Sequence, residues 1–137
     1  MHHENDFRSR FVLFAGVIFS LLIFSNAAHA KLPLIINIEN SPISSNQVLS
    51  MEDVERAIVQ GCRVRGWQPR LVEPGHIEAV LYIRSHVAKV DIRFDTKTYS
   101  IKYKDSTNLK YKNGRIHRNY NKWVQNLNND IQSKIPY

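Results

Sequence analysis

Past position 30 the side chains able to do chemistry are few: one cysteine, Cys62, three histidines, His76, His86 and His117, and a scattering of carboxylates. Zinc needs clustered ligands at short spacings, and the chain has no H-x-x-x-H or C-x-x-C pair. His76 and His86 stand at opposite ends of one expected strand, too far apart for one ion, so neither metal nor cofactor is expected. G-x-S-x-G, Walker and G-x-G-x-x-G patterns are all missing, and with them the commonest nucleophile and phosphate-binding devices. Glu78 and Asp91 could share a sheet face. Arg84, Lys89 and Arg93 stand among them, so weak cross-strand charge pairing is the simpler reading. Cys62 falls on an apolar helical stripe, where a thiol is inert; its alternative role is an intermolecular disulfide. No catalytic residue is assigned. The alternative is a hydrolase-like enzyme with a site near His117 and Asp105 that follows no known motif.

The other chemistry on offer is charge. "YKDSTNLKYKNGRIHRNYNKW", residues 103–123, alternates lysines and arginines with aromatics, in a chain of formal charge +7 and pI about 9.7. Such a strip suits nucleic acid, or another polyanion or an acidic membrane surface. The N-terminus decides between them. Arg8 and Arg10 precede the uncharged run "FVLFAGVIFSLLIF", and "SNAAHA" follows with small residues at Ala28 and Ala30. That is the three-part layout of a secretory signal peptide, 1–30, with cleavage expected between Ala30 and Lys31. The alternative is an inner-membrane anchor over 11–28, although the uncharged run is short for a span. The expected location is periplasmic or secreted, with no nucleic acid as partner. The mature chain is expected to carry no transmembrane helix, and one cysteine allows it no internal disulfide.

These groups need elements to position them. Residues 31–49 read as an edge segment and loop, in which Leu34 to Ile38 offers an N-terminal edge strand, and residues 50–135 read as one α+β domain. Ser50 is an N-cap with Asp53 three residues on, and Val54, Ile58 and Cys62 recur at i, i+4 and i+8, so a helix runs to Gly66. The period then changes to two. Ile77, Ala79, Leu81 and Ile83 alternate with polar positions; Ala88, Val90, Ile92 and Phe94 do so again, and Tyr99, Ile101 and Tyr103 a third time. Turns are expected at Pro74-Gly75, Ser85-His86 and Thr96-Lys97. Residues 67–72 make a fourth strand, and Pro69 places it at an edge. A polar loop from Asp105 leads to a second helix from about Ile116, with Tyr120, Trp123, Val124, Leu127 and Ile131 on its apolar side. The expected order is β-α-β-β-β-β-α. It makes a two-layer α+β domain, an antiparallel meander of about four strands, plus the N-terminal edge strand, covered on one face by two helices.

Two places could face a ligand. Tyr82, Arg84, Lys89, Arg93, Lys102 and Lys104 would project from the uncovered sheet face, where they could hold an anionic glycan or lipid headgroup. A solvated face blunted against aggregation by charge is the simpler reading. The loop and helix start offer Asp105, Ser106, Asn108, His117 and Asn119. Their side chains suit local ties to the backbone, so a structural role is expected, with a ligand pocket as the alternative.

"GCRVRGW", "PGHIEAVLYIRSHVAKVDIRFDTKTYSIKYKDSTNLKY" and "IHRNYNKWVQNL" together resemble a family of small uncharacterised exported proteins and lipoproteins of proteobacteria. The resemblance covers nearly all of residues 54–131 and implies a small exported domain; it supplies no activity. Family members often carry a lipobox. No cysteine follows Ala30 at once here, so the chain departs from that pattern. The expectation is a non-catalytic cell-envelope module that binds an envelope protein or an anionic envelope component.

Overall fold

The structure, a computed structural model, describes residues 30–137; the signal-peptide reading of 1–30 lies almost wholly outside them. Seven elements follow in the order β1 (Ile38–Pro42), α1 (Met51–Val64), β2 (Gln68–Glu73), β3 (His76–Ile83), β4 (His86–Phe94), β5 (Thr98–Thr107) and α2 (Asn119–Gln132). The five strands form one antiparallel sheet in the order β1-β5-β4-β3-β2. This is the expected two-layer α+β architecture, with the N-terminal segment as a fifth strand.

Alternation decides which face is covered. Ile77, Ala79, Leu81, Ala88, Val90, Ile92, Phe94, Tyr99 and Ile101 are buried against Val54, Ala57, Ile58 and Cys62 of α1 and Tyr120, Val124, Leu127 and Ile131 of α2. Ser50 caps α1 in a reciprocal box with Asp53, which satisfies two backbone donors left open at the helix start. The two helices meet at Gly61: a Cβ there would lie 2.6 Å from the Cα of Ile131. Arg65 adds a 2.8 Å ion pair to Asp130 beside that contact. β1 is held by more than its ladder. Gln132 donates to Ser41 Oγ, Pro42 O and Tyr99 Oη at 3.0 Å each.

Several boundaries differ from the sequence reading, each for a local reason. β1 begins at Ile38 and not Leu34; Leu34 makes only an isolated bridge to Arg115. Asn40, with φ 50°, interrupts the ladder where its register shifts between Ile38 and Ser41. The β3–β4 turn is Arg84-Ser85, so His86 opens β4. β5 runs on through Thr107 because a bulge between Lys89 and Val90 resets its alternation. α2 starts at Asn119, after a turn in which the Tyr120 N–H reaches His117 O.

Candidate functional site

The uncovered sheet face is built as rows across the strands. Arg70, Glu78, Asp91 and Lys102 lie side by side across β2, β3, β4 and β5. Two carboxylates thus face each other at the centre, where like charges repel unless a cation intervenes. Lys104 intervenes. Asp105 pairs with Lys89 and Tyr103 with Val90, which leaves Lys104 as the extra residue of the bulge. Its ammonium lies 2.6 Å from Glu78 Oε2 and 3.5 Å from Asp91 Oδ1. The Lys104 hydrogen bond, helped by Arg70, holds the Glu78 carboxyl below its usual range despite some desolvation. Glu78 in return raises the Lys104 ammonium.

Next to this row, His76 is 6% exposed and its Nε2 lies 2.6 Å from Asp91 Oδ1. Glu73 approaches His76 Nδ1 at 3.9 Å and Arg93 at 3.7 Å, while Lys102 reaches Glu39 at 3.6 Å. Asp91, Arg93, Ser100 and Lys102 line a shallow hollow of about 340 Å³. Of the expected ligand-facing set, Arg93, Lys102 and Lys104 therefore stand on the outer face but are matched by carboxylates, and Lys89 sits opposite Asp105. Tyr82 is exposed there. Arg84 is not on the face: it lies in the two-residue turn after β3.

The loop and helix-start set separates. Asp105 and Ser106 belong to β5 and not to a loop. Asp105 stands opposite Lys89, and Ser106 shares a 2.8 Å hydrogen bond with Tyr103 Oη. Asp105 and His117 form no hydrogen bond or ion pair with each other among the described residues. Asn108 and His117 do serve as ties, whereas Asn119 takes part only through its backbone N–H. Asn108 donates to Ser85 Oγ at 2.7 Å, and its carbonyl lies 2.7 Å from His86 Nδ1. His117 Nδ1 accepts the Asn119 N–H and its ring stacks near His86, which also meets Trp123. A second set of ties is aromatic. Tyr111 stacks on Tyr103 at 4.6 Å between centroids, and Tyr103 meets Tyr120 edge to face at 5.5 Å.

What these ties hold is a concentration of positive charge. Residues 106–129 contain Lys110, Lys112, Arg115, Arg118 and Lys122 and no Asp or Glu. Among the described residues none of the five makes an ion pair, in contrast to the sheet face. Arg115 donates instead to Leu32 O at 2.8 Å. The Ser85–Asn108 bond docks the Arg84 turn against the start of this loop. Arg84 and Lys110 both have left-handed backbone, φ 54° and 55°, which costs a residue with a Cβ roughly 1–2 kcal/mol. In the turn only the first central residue has positive φ, a place that favours glycine. The N-terminal segment runs alongside: Ile35 N–H reaches Gly114 O, Ile116 N–H reaches Pro33 O, and Asn121 bridges Ile36 N–H and Leu34 O. Sequence reasoning quoted this basic stretch but assigned its role to the polar ties. The long acid-free run was the available signal.

Among the described residues no cluster of three or more His, Cys, Asp or Glu is placed to hold a metal ion, and no helix is long and apolar enough to cross a membrane. Fold and site together describe a two-layer α+β domain with one charge-matched sheet face and one unmatched basic loop. Compared with known proteins, the chain matches no family, no curated protein and no solved structure.

Proposed function

We infer that this protein is a small exported module of the cell envelope that works by binding and not by catalysis, and that its partner is an anionic envelope component. The observation that supports this best is the loop: five cations within 24 residues, with no acid among them and, among the described residues, no ion pair. On the outer sheet face Arg70, Arg93, Lys102 and Lys104 each pair with a carboxylate, so the loop's cations differ from those of the sheet. Unmatched cations held in place raise the local concentration of an anionic partner and strengthen its binding. Left-handed backbone at Arg84 and Lys110 adds support, because local strain of this kind collects where function fixes a side chain.

Export rests on the leader-like residues 1–30. Mass spectrometry of the processed protein should find Lys31 as its first residue. Binding is tested by co-sedimentation of the processed protein with isolated cell envelopes over a range of salt. The wild type should sediment and be released as salt rises. A protein carrying Lys110→Gln, Lys112→Gln, Arg118→Gln and Lys122→Gln should stay in solution. Sedimentation that ignores both salt and these four changes would contradict the reading.

A further inference from the structure

The basic loop has an apolar neighbour. Leu34 and Ile36 are 56% and 62% exposed, and Tyr111 is 49% exposed. Leu34 and Ile36 alternate with the partly buried Ile35, which packs on the core. Backbone bonds from Ile35 to Gly114 and from Ile116 to Pro33, with the Asn121 bridge, fasten this exposed pair to the cationic loop. Cations, two exposed aliphatic side chains and a half-exposed tyrosine therefore form one continuous surface. A glycan rewards cations but gives nothing for exposed leucine and isoleucine. A bilayer with acidic headgroups rewards both: Lys and Arg near its surface contribute through the surface potential, and aliphatic and tyrosine side chains enter the boundary below the headgroups.

We propose that this surface docks on an anionic phospholipid bilayer, with Lys110, Lys112, Arg118 and Lys122 over the headgroups and Leu34, Ile36 and Tyr111 at the acyl boundary. The proposal rests on the functional reading above and narrows its partner to lipid. The phosphodiester headgroups are the ligand chemistry, and no covalent step is involved.

The test uses the processed protein with two kinds of vesicle, phosphatidylethanolamine mixed with phosphatidylglycerol, and phosphatidylcholine alone. Binding is expected on the first and not on the second. The four-residue Lys/Arg→Gln protein should bind the acidic vesicles roughly a thousandfold more weakly. Leu34→Ser with Ile36→Ser should be released from the acidic vesicles at lower salt than the wild type, because the apolar contribution that persists as charge is screened has been removed. Thermal melts of all variants should match the wild type, since the altered side chains are exposed, and this separates lost docking from lost folding. Salt-sensitive binding to whole envelopes or to purified acidic glycan, with none to acidic vesicles, would overturn the lipid proposal and leave the functional reading standing. Absence of binding to both would overturn the two together. Equal binding to phosphatidylcholine would also overturn it, because the cations would then be irrelevant.

Discussion

The outer sheet face and the basic loop hold similar numbers of cations and treat them in opposite ways. On the sheet, strand register puts Arg70, Arg93, Lys102 and Lys104 within reach of carboxylates on other strands, as with Lys104 between Glu78 and Asp91. In the loop, Tyr111 and Tyr103 stacking, the Asn108 ties and the Asn121 bridge hold the backbone without using charge. One region pairs its charge internally and the other, among the described residues, leaves it unpaired. Net charge does not show where unpaired charge lies; the distribution of acids does.

The largest expected effect sharpens that contrast through the helix layer. Gly61→Ala would drive a methyl into the Ile131 backbone and should cost about 3 kcal/mol in denaturant unfolding. Because α2 continues from the loop, hydrogen exchange should rise there before it rises in β3 and β4. Cys62→Ser should cost about 1–3 kcal/mol from a hydroxyl placed in the core. Burial pushes that thiol up to about 12, so a thiol reagent at neutral pH should label native Cys62 only at the rate of unfolding. Tyr103→Leu should cost about 1 kcal/mol through lost aromatic contacts, and limited proteolysis should then begin within residues 108–118. The smallest change belongs to the sheet. Glu78 has a depressed pKa when folded, so its contribution is complete above the usual carboxylate range and is lost as pH falls through the depressed value. Glu78→Gln should therefore flatten the acid limb of the stability profile and leave loop-dependent binding unchanged.

Much of the fold was legible because two short-range signals agree. The Ser50–Asp53 cap and the i, i+4, i+8 stripe mark α1, and period-two alternation marks β3, β4 and most of β5. What was not legible depends on register. The bulge at Lys104 makes two successive residues, Lys104 and Asp105, face outward, so the alternation that ends the strand in sequence does not end it in space. The partners of Arg93 and Lys102 are Glu73 and Glu39, distant in sequence and set by pairing alone. Arg84 took a glycine-like turn position that its residue type disfavours. Gly61 carries no mark in the sequence of its role as the close approach between α1 and α2. The basic stretch was visible, but its lack of acidic partners became an argument only once the sheet cations were seen to have theirs.

The most direct test sets the two regions against each other in one experiment. Envelope binding and melting temperature would be measured for the loop variant, with Lys110, Lys112, Arg118 and Lys122 changed to Gln, and for a sheet variant with Arg93→Gln, Lys102→Gln and Lys104→Gln. The loop variant should lose binding and melt like the wild type. The sheet variant should bind like the wild type and melt lower, because Glu78 and Asp91 then face each other without Lys104. Lost binding in the sheet variant with retained binding in the loop variant would contradict the account.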